Sequence, residues 1–208
     1  MDFSFESILI NYPQLKKLFI ASWDQQRFKE ELDNANTDKF ITVDTFLHAL
    51  FLTELMFDHT NYSLRIFSGH NIAEVLIVLE DAFLNACKNI ASHEGKVRII
   101  TAVNAQTYEK TRAKLKMVAD NVRQQIKDKL NQEIDLWCTC YVLEPDEVMS
   151  PPHFIVCDSK MLKIEANHLP LPKDSDIPGI LSQFYFNDGT KTRTMEKEFD
   201  NLYTSLTK

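Results

Sequence analysis

The chain predicts an α/β fold: a mixed sheet of about six or seven strands flanked by helices, preceded by a helical N-terminal extension. Three observations carry this. A strand, a buried helix and a second strand follow one another between residues 62 and 101, the order of a parallel crossover. Residues 134–143 alternate with period two. Residues 153–165 read as two short apolar strands turning near Ser159-Lys160, a hairpin.

Taken in order, residues 1 to about 58 read as helical. Phe5, Ile8, Leu9 and Tyr12 lie at helical spacing, and Pro13 interrupts the run. Leu15, Leu18, Phe19 and Phe28 line one side of the next segment. Asp44 is placed to cap a third helix carrying Phe46, Leu47, Leu50, Phe51, Leu55 and Met56. The expected division is a helical extension over 1–42 and an α/β domain over 43–208.

Within the domain, Tyr62–Ser68 is an expected strand, and Asn71 with Glu74 suggests a capping box opening one helix over Ile72–Ile90. That helix is apolar on most of its surface and is expected to be deeply buried. Val97–Thr101 is the next strand. Gln106–Gln132 is expected to be a long amphipathic helix with Leu115, Val118, Val122, Ile126 and Leu130 as its apolar stripe. In the strand that follows, Ile134, Leu136, Cys138, Cys140 and Val142 share a face. Residues 169–179, with three prolines, read as a loop; Phe184–Phe186 is a last strand and Met195–Leu206 a closing helix.

Composition narrows the function classes. Four glycines in 208 residues leave little room for a Gly-rich phosphate loop. A net charge of −7 argues against a protein coated by nucleic acid over its whole surface. The longest apolar stretches, Phe46–Phe57 and Ile72–Leu84, are too short to span a bilayer, and no secretory signal is visible at the N-terminus. Reduced thiols and a cytoplasmic location are the expectation for Cys87, Cys138, Cys140 and Cys157.

The segment Pro151-Pro152-His153-Phe154-Ile155-Val156-Cys157-Asp158-Ser159-Lys160, followed by Phe186-Asn187-Asp188 and Phe199-Asp200-Asn201-Leu202-Tyr203, resembles the phospholipase D superfamily over roughly residues 40–206. That family carries His-x-Lys-x4-Asp on a strand, then a Gly-Ser-x-Asn turn. Asp158 matches the aspartate. His153 stands at the lysine position and Pro151 at that of the nucleophilic histidine. Glu165 and Ala166 replace the Gly-Ser pair, with the asparagine displaced to Asn167. In the family the histidine attacks phosphorus, the lysine neutralises the phosphoryl oxygens, and a second histidine protonates the leaving group. Proline has no nucleophile, and a glutamate at the turn repels phosphate. The resemblance therefore implies a degenerate motif (His153, Asp158) with no catalytic residue expected. Its alternative is an active dimeric phosphodiesterase or nuclease using His153 and Asp158, by fold-level analogy a component of prokaryotic antiviral defence.

Other candidates compete with plainer explanations. His153 is either a relocated nucleophile or a histidine satisfied by Asp158 or backbone. Cys138-x-Cys140 within an apolar alternation reads as packing, so no metal is expected, and no cofactor. Ser68-Gly69-His70-Asn71 lies at the carboxyl end of a strand, where ligands bind in open sheets, and is otherwise only a capped turn.

From Lys96 to Gln132 there are nine Lys or Arg against three acidic residues. The segment is +6 in a chain of −7, which leaves −13 elsewhere. Arg112, Lys116, Arg123 and Lys127 fall within about 60° of one another at about 100° per residue, beside the apolar stripe. They mark either a track for the phosphate backbone of DNA or RNA, or a solvated face that docks an acidic surface. The expected partners are accordingly a second copy of the chain or another protein subunit, with nucleic acid through the basic helix.

Overall fold

The computed structural model describes residues 40–43, 46–69, 71–143, 152–165, 182–186 and 188–207. The helices expected before residue 40, the Asp44 cap, Pro151, the turn at Ala166-Asn167 and the 169–179 loop lie outside them.

Seven strands form one mixed sheet in the order β1-β7-β6-β5-β2-β3-β4. They are β1 (Ile41–Val43), β2 (Ser63–Ser68), β3 (Lys96–Val103), β4 (Asp135–Val142), β5 (His153–Cys157), β6 (Met161–Glu165) and β7 (Ser182–Tyr185). Strands β2, β3 and β4 run parallel, while β5, β6, β7 and β1 add antiparallel neighbours. The helices are α1 (Phe46–Asp58), α2 (Ile72–Val78), α3 (Glu80–Ser92), α4 (Tyr108–Leu130) and α5 (Gly189–Leu206).

Period-two alternation divides the core. Leu64, Ile66, Val97, Ile99, Ile155, Cys157 and Phe184 face α1 to α4. Phe67, Ile100, Phe154, Val156, Leu162 and Tyr185 face α5, which contributes Met195 and Phe199. The second layer is also held by charge. Arg65 on β2 bridges to Glu196 at 2.8 Å and to Asp200 at 3.0 Å.

Several expectations are corrected. Residues 41–43 are a strand rather than helix, because Ile-Thr-Val pairs along β7. The single helix over Ile72–Ile90 is two. The chain leaves helical geometry at buried Leu79 (φ −97°, ψ 28°), after a segment weakened by β-branched Val75, Ile77 and Val78. Asn71 makes no side-chain cap, since Glu74 is drawn to Lys114 at 2.5 Å. On α4 the buried stripe is Thr111, Leu115, Ala119, Val122 and Ile126. Steps of four alone drift around a helix, so Leu130 emerges into solvent. The closing helix starts six residues before Met195, where the Asp188 carboxylate accepts from the Thr190 and Lys191 N–H groups.

One corner ties the two halves of the sheet together. Asp158 and Ser159, both at positive φ, turn β5 into β6. The Asp158 carboxylate accepts hydrogen bonds from the N–H groups of Asn61 (2.8 Å), Tyr62 (2.7 Å) and Ser63 (2.8 Å). Gly95 closes the same corner from below; a Cβ there would sit 2.0 Å from the Tyr62 carbonyl oxygen. We predict that Asp158→Ala costs about 1–3 kcal/mol, the scale for stranding partly buried donors that had a charged acceptor. Urea denaturation followed by circular dichroism measures this, and Ser159→Ala, outside the triple hydrogen bond, is the milder control.

Candidate functional site

Two regions bring candidate residues together. The first lies where the degenerate motif falls. His153 and Asp158 sit at opposite ends of β5, separated by roughly 16 Å of strand at about 3.3 Å per residue. Asp158 does not satisfy His153; its oxygens are taken by the backbone of residues 61–63. The neighbour of His153 is Glu165, directly across the β5–β6 ladder, with Nδ1 3.7 Å from a carboxylate oxygen. The other Glu165 oxygen holds the Lys163 ammonium at 2.8 Å. The far edge of the imidazole lies against β2, where a Cβ at Gly69 would come within 3.0 Å of His153 Cε1.

The ladders extend this pair into a row. Ser182 stands opposite Glu165 on β7, and Ser68 opposite Thr101 on β3, itself opposite Cys140 on β4. The hydroxyls of Ser182 and Thr101 are buried without a hydrogen-bond partner among the described residues. Sequence reasoning missed Lys163 as part of this cluster. Its only signal was a charged residue at an inward position of an apolar strand.

The second region is built by α4 and β4. Thr111, Leu115, Ala119, Val122 and Ile126 seat α4 on the sheet, which turns the neighbouring basic residues toward the edge strand β4. A cleft of about 280 Å³ opens between the two elements. It is lined by Tyr108, Arg112, Lys116 and Arg123 from the helix and by Cys138, Thr139 and Cys140 from the strand. Three of the four basic residues expected on the sequence thus meet in one cleft, while exposed Lys127 lies outside its lining. Arg123 is anchored, donating to the Leu136 carbonyl and to Asp120, both at 2.8 Å. Arg112 and Lys116 have no acidic partner among the described residues.

The thiols lining the cleft are neutral. Burial pushes the Cys138 thiol up to about 12 and the Cys140 thiol up to about 11. Nearby Arg123 acts against this shift at Cys138, and Arg112 at Cys140. No cluster of three or more metal-ligating side chains occurs among the described residues, and no helix among them is long and apolar enough to cross a membrane.

No protein-family profile and no curated protein sequence matches the chain. Solved structures do. TrmBL2, an archaeal chromatin protein with a novel mode of DNA binding, aligns at 13% identity over 92% of this chain and 69% of its own, with a TM-score of 0.49. Nuc from Salmonella typhimurium, a phospholipase D family member, aligns at 8% identity over 80% of this chain and 94% of its own, TM-score 0.49. NucT from Helicobacter pylori aligns at 12% identity over 80% and 96%, TM-score 0.44.

The thiols generate a prediction. All four cysteines are held protonated by burial, so the native protein should alkylate slowly at pH 8, with the rate rising about tenfold per pH unit as thiolate forms. Unfolding should release four fast thiols. In the unfolded chain thiols ionise near 9, whereas the folded ones resist ionisation, so stability should fall as pH rises from about 9 toward 11. Iodoacetamide kinetics with mass readout, and urea melts across that range, check both.

Proposed function

We propose that this chain is a non-catalytic phospholipase-D-like module that binds nucleic acid by its phosphate backbone in the cleft between α4 and β4. It works as a dimer or as a subunit of a larger assembly. The observation that carries the reading is the convergence of Arg112, Lys116 and Arg123 on one cleft. Arg112 and Lys116 stand one turn apart, so their charges add on one face. Arg112 and Lys116, which have no acidic partner among the described residues and sit beside thiols that burial keeps neutral, attract phosphate most strongly, while Arg123, already paired with Asp120, adds less. The acidic balance of the rest of the chain confines polyanion binding to this side and favours association with a basic partner surface.

The competing reading is phosphodiester cleavage through His153. The environment of His153 weighs against it. Glu165 lies within reach of the imidazole and holds Lys163, so the positive charge that would receive a phosphoryl group is already offset. The proposed module should show no turnover of DNA, RNA or a generic diester, and His153→Ala should leave nucleic-acid affinity unchanged.

Arg112→Glu combined with Lys116→Glu should weaken nucleic-acid binding by about tenfold or more. It should also reduce the log–log salt slope by about two, one for each phosphate left without its cation. Fluorescence anisotropy at several salt concentrations reads both. Unchanged affinity and slope would remove the nucleic-acid reading. Lys127→Glu, outside the cleft, should have the smaller effect. A native mass of one chain with no co-purifying subunit would count against the assembly part of the proposal.

A further inference from the structure

Resting on the cleft reading above, we infer that the site selects single-stranded over double-stranded nucleic acid by taking one unstacked base between α4 and β4. The phosphates on either side lie along Arg112, Lys116 and Arg123. A cationic ridge alone does not discriminate, because duplex and single strand both present phosphates. The discriminating feature is concavity. The basic residues border a cleft of about 280 Å³, a space for about nine waters at roughly 30 Å³ each and of the order of one base with its sugar. A duplex is far too wide to enter, and a base held in a duplex stack cannot reach the cleft without first flipping out. That step costs a few kcal/mol in a duplex and much less in a single strand.

The lining suits a base as well as phosphate. Tyr108, on the first turn of α4, is half-buried and presents the one aromatic ring of the cleft. Its packing against the core holds it in place, so little rotamer freedom is lost on stacking. Thr139 alternates with Cys138 and Cys140 along β4, so it borders the cleft through its backbone while its side chain is directed to the other face. Beside it, β4 is the terminal strand of the sheet, so its outer edge presents backbone donors and acceptors without a ladder partner among the described residues. Cys138 and Cys140 supply small neutral walls. The cleft thus combines a π face, hydrogen-bonding groups and a cationic rim within one nucleotide's reach.

The test compares the full chain's affinity for a 12-nucleotide single strand, as DNA and as RNA, with that for the corresponding duplexes at one salt concentration. At least about tenfold tighter binding of a single strand is expected from the stacking of one base. Tyr108→Ala should abolish that preference while leaving duplex affinity, which depends on the cationic rim, in place. Because Tyr108 also packs on the core, a second measurement uses the unaltered protein. A strand carrying 5-iodouracil is photo-crosslinked, and the tryptic peptide of residues 99–110, whose one aromatic residue is Tyr108, should carry the adduct. Equal affinity for single and double strands, or adducts confined to other peptides, would overturn the inference and leave the backbone-binding proposal standing. Absence of binding to every nucleic acid would overturn both.

Discussion

The Asp158 carboxylate is the constraint on which the arrangement of the sheet depends. It joins the turn between β5 and β6 to the residues that open β2, accepting three backbone N–H groups at 2.7–2.8 Å. Those N–H groups have no ladder partner of their own, and an anion is the strongest acceptor the chain can offer them. The clamp also sets the antiparallel register of β5 against β2, which places Phe154 opposite Phe67 and directs the two faces of the sheet toward their separate cores. Gly95 lets β3 start close under the same corner. An aspartate that looks catalytic in a motif is, in three dimensions, a structural clamp.

At the other end of β5, the same register determines what His153 meets. Glu165 arrives across the hairpin and Lys163 reaches the same carboxylate, so acid and base are already paired. A site prepared for a phosphoryl group keeps its cations unpaired and its donors aimed at empty space. In the α4–β4 cleft Arg112 and Lys116 have no acidic partner among the described residues, whereas Arg123 is paired with Asp120. The helix carries cations on the side turned toward an edge strand, and the strand contributes thiols that burial keeps uncharged.

The mixed sheet explains why the cleft can exist. Interior strands are covered on both edges, whereas β4 ends the sheet and has α4 packed on one face. The seam between a helix and an edge strand is a natural groove, because the helix axis and the strand diverge while the apolar stripe closes only their inner side. Arg112, Lys116 and Arg123, which border that stripe, then sit at the rim, while Lys127 lies beyond it.

Local pattern determined most elements of this protein by itself. Period-two alternation marked β4, short apolar runs bounded by turn residues marked β2, β3, β5 and β6, the 3.6-residue period marked α1 and α4, and the Lys/Arg bias marked the helix face that carries Arg112, Lys116 and Arg123. Short or context-dependent pieces escaped it. Ile41–Val43 is a strand because β7 lies alongside, and the helix breaks at Leu79 after β-branched Val75, Ile77 and Val78. Glu74 left its cap for Lys114, a partner forty residues away in sequence. Tertiary structure alone decided that His153 meets Glu165 rather than Asp158, that Lys127 stays outside the cleft, and that Tyr108 lines it. Each of these depends on strand register or on helix-to-sheet packing, which bring together residues remote in the chain and leave no trace in local composition.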